Sequence, residues 1–427
     1  MVLTDWRCDR SASRHEGRKI FVATVIDIYS RRIVGVAIGA NLSGEEDYGE
    51  SRLIGQHLPM RIAQIAPLYE CVPPKLYGGT ERIVSYLTEE LVRQGHEVTL
   101  FASGDSKTSA KLVPCCDTAV RLNPLIHDPL PYHIIMLEEV RQRIDQFNVL
   151  HFHIDFLHAP LIRGQVQRTV STLHGRLDSP DVGAFYRVFP ELPLVSVSQD
   201  QRKYLPHANW VGTVYYGLPR DLLAFQPNAK GGYLAFLGRI SPEKGPNRAI
   251  EIAARTAMPL KIAAKVDRVD QAYWEEIVRP MVDAHRNVEF IGEIGDQDKA
   301  KLLGDAAALL FPVDWPEPFG LVIIEAMACG TPVIAFRRGS VAEVLEDGTS
   351  GFIVDTIEEA VTAVRRVGGL DRAKIRAEFE RRFTVERMAR DYLDIYQQHT
   401  SSGAKPNRVP EPNGRGTSLH AVREPRG

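Results

Sequence analysis

Between residues 61 and 354 the chain alternates short, β-rich apolar runs with stretches of helical periodicity, and this alternation constrains the fold more than any other feature. Residues 61–66, 97–102, 149–154, 169–173 and 194–197 read as strands in the first half. Residues 233–237, 260–264, 288–291, 308–311, 332–336 and 351–354 do so in the second. Between them, Ile83, Val84, Leu87 and Leu91 recur at helical spacing within 81–93, with Thr80 as N-cap and Gly95 as stop. Residues 246–256 and 385–397 are further helices. Strand–helix alternation predicts parallel sheets covered by helices on both faces. At 427 residues, two or three domains are expected. The expected organisation is α/β, with an extension and linker at 1–59 and doubly wound domains at 60–225 and 226–380. A C-terminal helix at 381–400 packs back on the first domain, and a Gly/Pro/Ser/Arg-rich disordered tail follows at 401–427. Two such domains in tandem place a ligand in the cleft between the carboxyl ends of their strands.

Charge narrows the partners. Lys plus Arg is 52 and Asp plus Glu is 54, a formal charge of −2, which argues against a broad grip on nucleic acid. The five cysteines, Cys8, Cys71, Cys115, Cys116 and Cys329, are unpatterned and lack a C-x-x-C spacing, so a reduced, cytoplasmic setting is expected. There is no run of 18 apolar residues and no basic-then-apolar leader.

The segment most suggestive of chemistry is Glu317-Pro318-Phe319-Gly320-Leu321-Val322-Ile323-Ile324-Glu325. Pro318 disfavours helix at Glu317, so that carboxylate belongs to a loop, while Glu325 is expected about two turns inside the following helix. The helix mouth between them suits an anion such as a diphosphate, and the carboxylates suit sugar hydroxyls. Alone, the segment reads equally well as a surface loop and an ordinary helix. It is followed by Ala328-Cys329-Gly330-Thr331-Pro332-Val333-Ile334-Ala335, Gly339-Ser340, Glu343-Val344, Asp347-Gly348 and Gly351-Phe352. It is preceded by Gly238-Arg239-Ile240-Ser241-Pro242-Glu243-Lys244-Gly245.

This ordered set resembles the retaining, nucleotide-sugar-dependent glycosyltransferases of family 4 (glycosyl transferases group 1). The resemblance covers about 60–398 and is most specific over 233–354. It implies the GT-B fold, two Rossmann-like domains facing across a cleft, and transfer of a hexose from a nucleotide diphosphate-sugar to an acceptor hydroxyl with retention. On matching positions, Arg239 and Lys244 would clamp the donor diphosphate, as a forked guanidinium and a point ammonium can. Glu325 would bind the ribose, Glu317 would face the sugar, and Phe319 and Gly320 would offer backbone N–H groups. Gly292 and Glu293 would line the base. Gly78 and Gly79 match a glycine loop that lets backbone approach a phosphate. A turn with two solvated cations, and a tight turn before a helix, are the plainer readings of these last two motifs.

His151 and His153 stand two apart on a strand and share a face. A structural pair, or a zinc site with His158, is the alternative, but no third ligand is suitably spaced. The resemblance places His153 near the transferred sugar and His174 near the cleft, with Asp155 a weaker acceptor-side candidate. Asp296-Gln297-Asp298 has the form of a D-x-D metal motif, yet N-capping and the dipole of a helix over 299–303 explain it. The resemblance implies cationic side chains at the diphosphate, so no cofactor and no required metal are expected. The chain departs from the family pattern at Tyr216, where Asn commonly precedes Gly217, and at Ala263-Ala264-Lys265, where a glycine-rich turn is usual. Lys265 is therefore an extra candidate for phosphate or base.

Residues 1–59 read differently. Two strands, 21–28 and 33–38, flank Tyr29-Ser30-Arg31-Arg32, and with Leu3-Thr4-Asp5 they resemble the opening of an integrase-type transposase catalytic domain. Such domains hold two metal ions with three carboxylates. Asp5 matches the first and the others have no place in this chain, so a remnant or family-specific extension without nuclease activity is expected. Eight Lys/Arg against eight Asp/Glu leave this stretch neutral. The expected partners are a nucleotide-sugar donor and a sugar, lipid or polysaccharide acceptor, without nucleic acid. Peripheral membrane contact, oligomeric state, acceptor, donor base and donor sugar stay open. A nucleotide-sugar epimerase or phosphorylase of the same architecture, and more remotely a nucleic-acid-processing protein, are the rival readings.

Overall fold

The computed structural model describes residues 6–15, 18–27, 32–39 and 59–401. Contacts divide the chain into two units, Met1–Pro59 and Met60–Gly427. In the first, β1 (Trp6–His15), β2 (Arg18–Asp27) and β3 (Arg32–Gly39) form an antiparallel sheet in the order β1-β2-β3. β1 and β2 pair in register from Trp6 with Asp27 to His15 with Arg18. The sequence reading misses β1, because WRCDRSASRH carries almost no apolar signal. Asp5, the expected linker at 41–57 and the tail beyond 401 lie outside the described residues.

The second unit holds two parallel sheets. The first contains β4 (Arg61–Ile65), β5 (Glu97–Ala102), β6 (Lys111–Pro114), β7 (Val149–Phe152), β8 (Thr169–Leu173), β9 (Leu194–Ser196) and β10 (Trp210–Thr213). Their order is β10-β9-β8-β7-β4-β5-β6. Strands β4, β7, β8 and β9 are fully buried but for Arg61, as a sheet covered on both faces requires. Edge strands β6 and β10 are short and half-buried and lack an apolar run, so the sequence does not announce them. The helix after β4 is Gly79–Arg93. Its N-cap is Gly78, not Thr80: Gly78 adopts φ 150° and the chain enters the helix two residues earlier than expected.

The second sheet contains β11 (Leu234–Arg239), β12 (Leu260–Lys265), β13 (Val288–Gly292), β14 (Ala308–Phe311), β15 (Val333–Phe336) and β16 (Gly351–Val354), in the order β13-β12-β11-β14-β15-β16. Each sheet reverses direction beside its first strand, so each has a switch point at the carboxyl ends of its central strands. The helix Val385–Ser401 returns to the first lobe and buries Met388, Tyr392, Leu393 and Tyr396 completely. Arg387 fixes this return by donating to the carbonyls of Tyr215 (2.6 Å) and Tyr216 (2.8 Å). Among the described residues, no helix is long and apolar enough to cross a membrane.

Candidate functional site

The carboxyl ends of the central strands open onto one cleft of about 690 Å³. From the first lobe, β7 delivers His153 and Asp155 to its wall, β8 delivers His174, and the loop before Gly79–Arg93 delivers Gly78. From the second, β11 delivers Arg239, β12 Lys265 and β13 Glu293. Gly79 from the first lobe, and Lys244, Glu317, Phe319, Gly320 and Glu325 from the second, complete the expected set lining the cleft. Gly292 is the exception. It ends β13 at φ 76° off the wall, and Glu293, one residue on, occupies the wall and accepts from the Tyr77 N–H (2.9 Å).

The second lobe supplies alternating charges. Lys244 Nζ lies 2.6 Å from Glu317 Oε2 and 4.5 Å from the centre of the Trp315 ring. Trp315 Nε1 donates to the same carboxylate oxygen at 2.7 Å. Gly339 packs against the Glu317 backbone at φ 56°; a Cβ there would fall 2.3 Å from the Glu317 carbonyl oxygen. Gly320, left-handed at φ 81°, caps the helix Leu321–Ala328. Glu325 is therefore only about one turn inside that helix, not two, and lines the cleft together with Gly320, Leu321 and Val322 of the mouth. Lys299 Nζ donates to Glu325 (2.8 Å). Arg239 is held by Glu243 (2.5 Å) and Asp270 (3.3 Å). A cation row paired with nearby acids can receive a polyanion by exchange of partners, at lower cost than unpaired cations massed in one cleft.

The first lobe reaches across. Arg82, buried in the first turn of Gly79–Arg93, donates to Asp296 of the second lobe (2.6 Å) and to the Leu76 carbonyl (2.7 Å) beside the glycine loop. This explains Asp296 better than capping does. The helix is Asp296–Asp305 with Gly295 at its cap and no side-chain cap bond, so the aspartates sit in its first turn. Lys299 lies 3.4 Å from Asp296 as well, so Arg82, Asp296, Lys299 and Glu325 form one chain of charges from lobe to lobe. The sequence reading misses Arg82 because its partner is 214 residues away. It also misses Glu81, whose carboxyl burial pushes up to about 7.

The histidines are tied into hydrogen bonds of their own. His153 lies on the wall, but both ring nitrogens are engaged: Nδ1 with His174 Nε2 (2.9 Å) and Nε2 with Gln64 Oε1 (2.7 Å). His174 Nδ1 is taken by the Tyr216 hydroxyl (2.8 Å). Neither ring offers a nitrogen to a ligand without breaking a buried hydrogen bond. His151 bonds Tyr396 and Thr172, both at 2.7 Å. His158 bonds Ser171 and stacks on Phe152, and among the described residues no group of His, Cys, Asp and Glu gathers to hold a metal. Burial pushes His151 and His153 well below the usual imidazole range and His174 down to about 3. Asp155, left-handed at φ 51°, stands on the wall with its carboxyl pushed up by burial to about 6.

Residues 77–215 match the Glycosyltransferase Family 4 model, and residues 223–378 match that of Glycosyl transferases group 1. The chain is 26% identical over 341 residues to an uncharacterised glycosyltransferase of Methanocaldococcus jannaschii, covering 69% of this chain and 85% of that one. It is 26% identical over 378 residues to a phosphatidyl-myo-inositol mannosyltransferase of Mycobacterium leprae, covering 81% and 99%. A glycosyltransferase involved in avilamycin A biosynthesis superposes with a TM-score of 0.61 at 25% identity, over 80% of this chain and 98% of that one. The two parallel-sheet lobes and these neighbours give the chain the GT-B fold.

Proposed function

We propose that this chain, whose two lobes match glycosyltransferase models, moves a hexose from a nucleotide diphosphate-sugar to an acceptor hydroxyl with retention at the anomeric carbon. One observation carries the reading: Lys244 and Arg239 share a cleft wall with Glu317, Glu325 and the mouth of Leu321–Ala328, across from the glycine loop at Gly78. Wall and mouth together suit a diphosphate joined to two hydroxyl-rich groups.

In this reading Arg239 and Lys244 take the charge that grows on the diphosphate as the bond from C1 to phosphate oxygen breaks. The N–H groups after Gly320 share that charge, and Glu325 accepts from the ribose hydroxyls. Glu317, already fixed by Trp315, receives a sugar hydroxyl when Lys244 turns to phosphate. The acceptor oxygen bonds to C1 from the face the diphosphate leaves, and its proton passes to the departing phosphate oxygen. Closing of the lobes, held by Arg82 on Asp296, keeps water from the oxocarbenium-like centre. No metal has a step in this scheme.

A screen of UDP- and GDP-hexoses against sugar and lipid acceptors, with product NMR, tests the reading. Transfer with the donor's anomeric configuration kept in the product supports it. An inverted product removes the retaining assignment. Isomerised free donor identifies an epimerase instead, and phosphate-dependent release of sugar 1-phosphate identifies a phosphorylase.

A further inference from the structure

Tyr216 stands where the resembled family commonly has Asn, and it ends a buried hydrogen-bond chain that crosses the first lobe. From the cleft inward the links are Tyr216 Oη to His174 (2.8 Å), His174 to His153 (2.9 Å), His153 to Gln64 (2.7 Å), Gln64 to Tyr396 Oη (3.3 Å), Tyr396 to His151 (2.7 Å), His151 to Thr172 (2.7 Å) and Thr172 to Tyr392 (3.0 Å). Apart from Tyr216 and His174, every side chain in it is at most 2% exposed.

The chain has a direction. Gln64 is its one amide, and its orientation, with Oε1 toward His153 and Nε2 toward Tyr396, sets the direction of the rest. In that orientation His153 carries its proton on Nε2, which leaves Nδ1 to accept from His174 Nε2–H. His174 Nδ1 must then accept, so the Tyr216 hydroxyl donates inward. Neutral imidazoles are required, and burial keeps them neutral. With its proton turned inward, Tyr216 Oη can present only lone pairs to the cleft. Its ring is seated against Phe319 (centroids 4.7 Å apart), two residues from Glu317.

We infer that Tyr216 Oη is the acceptor for a hydroxyl of the sugar being transferred, and that Gln64 and Tyr396 are positioning residues that hold it in that polarity. This rests on the proposed transfer reaction. It replaces a ring nitrogen of His153 as the polar contact on this side of the cleft.

The test combines kinetics with histidine spectroscopy on the full chain. Tyr216→Phe keeps the ring against Phe319 and removes the oxygen. It is expected to lower kcat/KM for transfer about tenfold to a hundredfold, the effect of one lost hydrogen bond to a buried acceptor, while the Kd for UDP, which lacks the sugar, stays within twofold. Tyr396→Phe should lower kcat/KM by a smaller factor, and the double variant should be no worse than Tyr216→Phe alone. In 15N spectra of the imidazoles, wild type should show the Nε2–H tautomer for both His153 and His174, the Nδ1–H form in either overturning the inference, and Tyr396→Phe should show a mixture. Gln64→Leu replaces Tyr396→Phe if the latter fails to fold, with the same expectation. Unchanged imidazole spectra in the inner variant, or losses that multiply in the double variant, overturn the inference. If wild type transfers no sugar from any donor, the proposed reaction falls, and the imidazole spectra alone decide the chain.

Discussion

Lys244 Nζ and Glu317 Oε2, on either side of a 73-residue sequence gap, meet at 2.6 Å on the cleft wall. Both are largely buried, at 19% and 9% side-chain exposure, so neither charge is at rest in water. A bound diphosphate would take Lys244 and free Glu317 for a hydroxyl. Lys244→Ala and Glu325→Ala are each expected to weaken UDP binding by about 1–3 kcal/mol, the scale of a charged hydrogen bond. Calorimetry checks this, and unchanged binding in both variants would reject the donor site.

Arg82 links the glycine loop to the second lobe, so Arg82→Ala loses both the Leu76 carbonyl and Asp296. A loss of about 1–3 kcal/mol in urea unfolding is expected, because the Leu76 carbonyl loses this donor and Asp296 is left to Lys299 at 3.4 Å. Faster hydrogen exchange should be confined to the backbone around Gly78 and Gly79. Asp296→Asn, at a 41% exposed position, should cost about 1 kcal/mol or less. Equal losses in the two variants would mean that the link to Leu76 contributes nothing.

Much of this architecture is written locally. Strands 169–173 and 351–354 and the helix 246–256 can be read to the residue, because each is a run of one periodicity with Pro, Gly or a polar residue at its ends. What escapes is whatever depends on distant partners or on small backbone turns. Gly320 shortens the helix ahead of Glu325 by its left-handed φ, which residue spacing cannot show. Asp296 looks like a cap or a metal ligand until Arg82 is seen beside it. His153 matches a sugar-contact position by motif, yet Gln64 and His174 already occupy its nitrogens, and only the three-dimensional pairing of β4, β7 and β8 reveals that.

Glu81 makes stability depend on pH in a known direction. Burial first, and then the nearby Glu70 charge, pushes its carboxyl from 4.5 up to about 7. Between those values the folded form keeps a proton that the unfolded form has released, so this residue's contribution falls as pH rises and levels off above 7. The cost is about 3 kcal/mol. His151, His153, His158 and His174 act oppositely: held neutral by burial, they withdraw stability as pH falls below 6.5. The Glu81 effect is thus read as a difference. Glu81→Gln should gain on wild type steadily from pH 4.5 to 7, and a gap between the two unfolding curves that does not change with pH would contradict it.

The helix Val385–Ser401 closes the first lobe. Tyr392 is fully buried, and its hydroxyl meets Thr172 on β8. Tyr392→Ala should cost about 3–5 kcal/mol through the cavity it leaves. Tyr392→Phe keeps the ring and loses one hydrogen bond, so a loss of about 1 kcal/mol is expected. Similar losses for the two would show that the hydroxyl, not the ring, fastens the helix.

Two glycines separate strain from steric contact at the donor loop. Gly339 and Gly348 both have positive φ, 56° and 74°, so alanine at either costs about 1 kcal/mol in backbone strain. A Cβ at Gly348 meets nothing within 4 Å, whereas one at Gly339 would lie 2.3 Å from the Glu317 carbonyl oxygen and 2.4 Å from its nitrogen. The Glu317 loop must therefore move in Gly339→Ala and stay in Gly348→Ala. Displacing a positioned carboxylate by even a fraction of an ångström costs far more in reaction rate than in folding. Gly339→Ala is expected to lower sugar transfer at least tenfold and to melt below Gly348→Ala, whose transfer stays close to wild type. Equal activity in the two variants would show that the position of Glu317 does not matter to the reaction.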